Sequence, residues 1–103
     1  MTYVLAAFAV AQKAGKSILV EVHAPWCPTC KAQTPILSKL EAEARFADLA
    51  VFHVDFDSQK DVLKTLNVQK QSTLIVFKGG KETGRSTGAT DPRSIEELLE
   101  KSL

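Results

Sequence analysis

The 103-residue sequence predicts an α/β fold: a central mixed four-stranded sheet, with room for a short fifth strand, covered by helices on both faces. Three observations predict it. Short, β-branched apolar runs at residues 18–23, 51–56 and 73–77 alternate with segments of helical periodicity. Gly79-Gly80, directly after the third run, signals a tight hairpin, because paired glycines supply the positive φ such turns require. Asp91-Pro92 then opens a last amphipathic segment, a capping side chain followed by a residue suited to the first helical position.

The elements follow in order. Residues 3–14 form the first predicted helix, with Val4, Leu5, Phe8 and Ala11 on one face and Gly15 as its stop. This segment also resembles the apolar core of a signal peptide, but it is short and no Lys or Arg precedes it. A packed helix is therefore preferred, which places the protein in the cytoplasm; export with a cleaved signal is the alternative. Residues 18–23 are almost continuously apolar, as a buried strand should be. A long helical pattern follows the cysteine loop and runs to about residue 46. Ile36, Leu37, Leu40 and Ala44 form its inner face, and Pro35 within it predicts a kink. The second strand spans 51–56, and a short helix covers 59–66 before Asn67. The third and fourth strands, 73–77 and 82–87, pair antiparallel through the glycine turn. Ile95, Leu98, Leu99 and Leu103 form the inner face of the last helix. No repeat or linker divides the chain, which reads as one domain over residues 1–103.

Composition excludes several classes of function. With 13 Lys+Arg against 12 Asp+Glu the net charge is +1, so no broad field steers the chain toward nucleic acid or anionic lipid. No apolar run approaches the roughly 18 residues of a membrane span. Two cysteines are too few for the multiply bridged scaffold of small secreted domains.

Both cysteines lie in Ala24-Pro25-Trp26-Cys27-Pro28-Thr29-Cys30-Lys31. Two thiols at this spacing are half of a zinc site, a structural staple or a redox couple. Their place after a buried strand, opening a helix, favours redox chemistry. A thiol there meets unpaired backbone N–H groups and the positive end of the helix dipole, both of which stabilise thiolate. Cys30, one turn on, is placed to reach back to Cys27. Trp26 offers a flat apolar surface beside the pair. A zinc site within one chain would need four ligands, and the only soft candidates are Cys27, Cys30, His23 and His53, at a spacing that matches no zinc finger. No Ser/His/Asp hydrolase motif or phosphate loop is present.

At these residues the sequence resembles the thioredoxin family. The likeness rests on Trp26-Cys27-x-x-Cys30-Lys31 with Pro35 five residues on, Val54-Asp55-x-Asp57, Thr73-Leu74-Ile75-Val76-Phe77-Lys78-x-Gly80 and Gly88-Ala89, with no gap from Ile18 to the C-terminus. The resemblance implies a thioredoxin-like fold and thiol–disulfide exchange on protein disulfides, with Cys27 attacking, Cys30 resolving and an external reductase or thiol donor restoring the dithiol. It implies no organic cofactor and no metal, since the electrons travel on the sulfurs, and a monomer that binds neither nucleic acid nor membrane. Trp26, Pro28 and the Gln71-Ser72-Thr73 loop fall at the substrate rim. The family's additional first strand is not found.

Three departures stand out. The family's buried aspartate is Glu21 here, a proton shuttle with longer reach. Its lysine partner falls on His53, which would make an acid–base couple titrating nearer neutral pH. The family's cis-proline is replaced by Ser72, for which a trans bond is expected. Restoring proline at this place is expected to strengthen turnover. Its loss also opens two alternatives, a metal ion or iron–sulfur cluster shared by the cysteines of two chains, and a non-catalytic binding module.

Overall fold

The computed structural model describes residues 2–103. Its elements are α1 (Leu5–Lys13), β1 (Ser17–His23), α2 (Pro28–Glu41), a 3₁₀ turn (Ala44–Phe46), β2 (Ala50–Asp55), α3 (Lys60–Thr65), β3 (Thr73–Lys78), β4 (Lys81–Thr87) and α4 (Pro92–Glu100). The sheet order is β2-β1-β3-β4. β1 pairs parallel with β2 and antiparallel with β3, and β4 closes the hairpin antiparallel to β3.

Successive residues of a strand face opposite sides, so the sheet has two cores. Ile18, Val20 and Val22 of β1, Phe52 and Val54 of β2, and Ile75 and Phe77 of β3 pack beneath α1 and α3. Leu19, Leu74 and Val76 face the other way, against Leu37 and Leu40 of α2, Phe46, and Ile95, Leu98 and Leu99 of α4. The mixed sheet with helices on both faces is the predicted architecture.

The expected fifth strand reduces to a single parallel bridge between Thr2 and His53, where the Tyr3 N–H donates to the His53 carbonyl at 2.8 Å. The first helix buries Phe8 and Ala11, but Val4 and Leu5 are exposed. Val4 is the extended residue before the helix, so helical spacing does not apply to it, and Leu5 lies off the Phe8–Ala11 stripe. α2 continues through Pro35 and ends at Glu41 instead of residue 46; Glu43 is extended, the chain re-enters as the 3₁₀ turn that buries Phe46, and Ala44 is exposed. At the C-terminus Leu103 is 49% exposed and Ser102 takes the buried place. The Ser102 hydroxyl donates to the Leu99 carbonyl at 2.6 Å, and its own carbonyl accepts from the Ser17 hydroxyl at 2.6 Å. α4 is thereby pinned to the start of β1.

Local signals account for the turns. Gly79 has φ +62, and its N–H donates to the Lys16 carbonyl, seating the hairpin against the end of α1. Asn67, with φ +56, ends α3. The Asp91 carboxylate accepts the Ser94 N–H at 2.9 Å and caps α4, with Pro92 at its first position.

An edge-on aromatic cluster fills the core under α1, with Phe52 at 5.7 Å from Phe8 and 6.0 Å from Tyr3 between ring centres. Phe52→Ala should therefore cost about 3–5 kcal/mol in chemical denaturation. Leu103→Ala should stay within about 0.5 kcal/mol. A Leu103 effect as large as that of Phe52 would contradict its exposed placement.

Candidate active site

The dithiol lies where β1 passes into α2. Cys27 is the N-cap of α2, with extended backbone, and its Sγ accepts the Cys30 N–H at 3.1 Å. The helix N-terminus therefore presents donors to this sulfur, as the position in the sequence predicts. Pro28 takes the first helical position, where its missing N–H costs nothing. Both cysteines are free thiols and both are buried, packed with Ala24 and Phe56.

Ser72 joins them. Its Oγ is 3.1 Å from Cys27 Sγ and 3.3 Å from Cys30 Sγ. No peptide bond among the described residues is cis, and Ser72 has φ +65. This left-handed conformation is held on all sides. The Ser72 N–H donates to the Val22 carbonyl at 2.9 Å, and its carbonyl accepts from the Gly88 N–H at 3.1 Å and from Gln33 Nε2 at 3.2 Å. Gln33 is itself buried and also donates to the Ala89 carbonyl. The observed backbone at this place does not suit the proline whose restoration is expected to strengthen turnover. Proline is locked near φ −65° and has no N–H for Val22.

The two thiols ionise in opposite directions. Burial alone would push Cys27 up, but hydrogen bonds from the Cys30 thiol, the Ser72 hydroxyl and the Cys30 and Thr29 N–H groups hold it below the ordinary thiol value. Cys30 is pushed up by burial and by its hydrogen bond with Cys27, against smaller lowering by Ser72 and the Ala24 backbone, with the charge of Cys27 adding least. The pair titrates as a unit, and its first proton to leave belongs to the Cys27 side.

Behind Cys30 lies a cavity of about 220 Å³ whose lining includes Glu21, His23, Cys30, Gln33, Glu41 and His53. The Glu21 side chain is only 13% exposed, and its Oε2 lies 2.8 Å from His53 Nε2, the residue opposite it in the β1–β2 register. The two groups are close enough for an ion pair when the imidazole is protonated, but they are not aligned as a hydrogen bond, and Oε2 has no other donor among the described residues. Glu41, at the end of α2, is raised by burial and by the charge of Glu21, with His53 opposing.

On the outer side, Trp26 is 56% exposed, stacks edge-on against Phe56 and donates from Nε1 to Asp57 Oδ2 at 2.9 Å. Asp55 receives the Asp57 and Ser58 N–H groups and so shapes the turn that carries Asp57. Of the expected rim residues, Trp26, Pro28 and the half-buried Gln71 reach the surface, whereas Ser72 and Thr73 are buried. The Thr73 hydroxyl donates to the Lys70 carbonyl and meets the Thr87 hydroxyl at 3.1 Å.

Of the residues singled out in the sequence, the cysteines, Glu21 and His53 line or adjoin one cavity, and Trp26 stands on the outer side. Sequence reading missed Glu41, Gln33, Asp57 and the contact of Ser72 with both sulfurs. Glu41 carried a signal, since Cys30, Thr34, Leu37 and Glu41 follow one helical stripe. No group of three or more His, Cys, Asp or Glu suited to holding a metal ion is found among the described residues. No helix among them is long and apolar enough to cross a membrane.

A fold of this kind with a Cys-x-x-Cys pair at the strand-to-helix junction defines a thiol–disulfide oxidoreductase. The family model described as Thioredoxin matches residues 4–101. A thioredoxin of Chlamydia trachomatis is 38% identical over 84 residues, covering 82% of this chain and 80% of its own. Among solved structures, Trxlp of Edwardsiella tarda is 45% identical with a TM-score of 0.93, covering 95% of both chains. Thioredoxin NaTrxh of Nicotiana alata is 27% identical with a TM-score of 0.81, covering 94% of this chain and 82% of that one. The chain belongs to the thioredoxin family.

Two outcomes test this geometry. Thiolate absorbance followed against pH should rise through a midpoint below the ordinary thiol value of about 8.5, with a second, higher step for Cys30. A single step at or above 8.5 would mean that the donors around Cys27 have no effect. Ser72→Pro should lose more than about 1 kcal/mol of stability, visible as a lower melting temperature. A variant as stable as the parent would show that the loop does not need φ +65.

Proposed function

We propose that Cys27 is the attacking nucleophile and Cys30 the resolving thiol of a protein-disulfide reductase. The observation that carries this assignment is the Cys27 sulfur at the N-cap of α2, where the gathered hydrogen bonds outweigh burial, whereas at Cys30 burial prevails. The Cys27 thiolate attacks one sulfur of a substrate disulfide, forming a mixed disulfide and releasing the other substrate sulfur as thiolate. Cys30 then gives up its proton and attacks the Cys27 sulfur, releasing the second substrate thiolate and leaving the Cys27–Cys30 disulfide. Two electrons have passed to the substrate, and a reductase or other thiol donor returns them.

Glu21 acts as the proton shuttle of the resolving step. It lines the same cavity as Cys30, which is roomy and polar enough for water to carry a proton between them. His53, in contact with Glu21, is its partner in that transfer. Trp26 and Pro28, with Gln71 beside the Ser72–Thr73 turn, form the substrate rim. The domain spans residues 1–103, works as a cytoplasmic monomer and needs no cofactor, because the sulfurs themselves carry the electrons.

The assignment is tested with insulin disulfides as substrate. Cys27→Ser should abolish reduction, and Cys30→Ser should accumulate a mixed disulfide seen on non-reducing gels and by mass. Equal activity in both variants would remove the mechanism. A glutathione titration of the parent protein should give one reversible two-electron couple.

A further inference from the structure

We propose that Ser72 is a positioning residue of the dithiol centre, whose hydroxyl, fixed between the two sulfurs, donates to the Cys27 thiolate and so favours the reduced state over the disulfide. The proposal rests on the Cys27/Cys30 redox reading above and deepens it.

Three observations carry it. The first is distance: Ser72 Oγ lies within hydrogen-bonding reach of both sulfurs, at 3.1 Å and 3.3 Å. The second is that, among the described residues, the hydroxyl has no competing partner: the backbone of Ser72 meets Val22, Gly88 and Gln33 while its Oγ meets the two sulfurs. The third is confinement. Ser72 is buried, its φ of +65 is held by those three bonds, and Gln33 locks its carbonyl to Ala89 across the site.

The direction of the bond follows from inventory. An ionised Cys27 has no proton, so the Ser72 O–H must be the donor. The Cys30 S–H can then donate to the free lone pairs of Ser72 Oγ or directly to Cys27, and every member of the ring has a complementary partner. A hydrogen bond to an ionised acceptor is roughly twice as strong as one between neutral groups. Oxidation takes two electrons from the sulfurs, and the proton of Cys30 leaves to solvent with them. The resulting disulfide has no charge and only weak acceptor sulfurs, so the hydroxyl loses its strong partner in the oxidised form alone. An interaction present in the reduced state and absent from the oxidised one raises the reduction potential. Ser72 thus biases this centre toward the oxidising side of what the same dithiol would have without a hydroxyl there.

The experiment compares the parent protein with Ser72→Ala and Ser72→Gly in two measurements: the pH profile of Cys27 alkylation by iodoacetamide, and the equilibrium with reduced and oxidised glutathione. Glycine adopts φ +65 without strain, whereas alanine keeps the backbone cost of serine. The nearby titratable groups, Glu21, His23, Glu41, His53 and Asp57, are the same in all three proteins. Both variants should move the alkylation midpoint up by about one unit and shift the glutathione equilibrium about tenfold toward the disulfide, equivalent to about 30 mV more negative. A shift in Ser72→Gly alone would assign the effect to relief of backbone strain and overturn the proposal. Parent-like midpoints and potentials in both variants would overturn it while leaving the oxidoreductase reading intact. Absence of a reversible couple in the parent would overturn both.

Discussion

The register of β1 between β2 and β3 is the constraint on which the rest of the structure depends. β1 is the only strand bonded to a neighbour that runs parallel and to one that runs antiparallel. Its alternate residues feed two separate cores, so a slip of one residue would exchange them. In the observed register Ile18, Val20 and Val22 face α1 and α3, while Leu19 faces α2 and α4. Glu21 therefore points toward the α2 side, where it lines one cavity with Cys30 and Glu41. The same register sets His53 directly opposite it. The carboxylate, the imidazole and the Cys30 thiol meet at one cavity because the hydrophobic alternation of β1 sets this register.

The end of β1 also anchors the loop that completes the site. The Val22 carbonyl, left over at the margin of the sheet, receives the Ser72 N–H. With Gln33 from α2 and Gly88 from the loop before α4 bonded to the Ser72 carbonyl, three parts of the chain close on one residue. A left-handed serine would be strained in isolation by about 1–3 kcal/mol, and it persists because its surroundings over-determine it. Backbone strain of this kind clusters at functional sites, and here it aims a hydroxyl at two sulfurs.

Much of the fold was legible in the sequence because the signals were local and mutually consistent. Short, β-branched apolar runs marked the strands, and Gly79-Gly80 and Asp91-Pro92 marked the hairpin and the last cap. The errors arose where packing overrode pattern. Leu103 continues the stripe of α4, but the helix ends at Glu100 and Ser102 turns inward to hold Leu99 and Ser17. α2 stopped short of residue 46 because burial of Phe46 requires the chain to leave the helical axis. At the site, the cysteines, Glu21 and His53 were readable from spacing to a motif. Ser72 was readable as a departure but not as a contact. Its role depends on a positive φ and on bonds to Val22, Gly88 and Gln33, at sequence separations of 50, 16 and 39 residues, which no local pattern reports.

Two identical side chains, three residues apart, acquire opposite chemistry because a helix has direction. Cys27 stands outside the first turn, where N–H groups without helical partners point at its sulfur. Cys30 stands inside that turn, where burial and the neighbouring Cys27 sulfur outweigh the hydrogen bonds that reach it from Ser72 and the Ala24 backbone. The charge that forms on Cys27 then opposes a second charge on Cys30. One thiol is thereby the easier to ionise, while the other holds its proton more tightly as long as that charge is present. Once that charge is gone, the main obstacle left to ionising Cys30 is its burial, beside a cavity that Glu21 also lines. The difference between the two thiols is thus built into the polarity of α2.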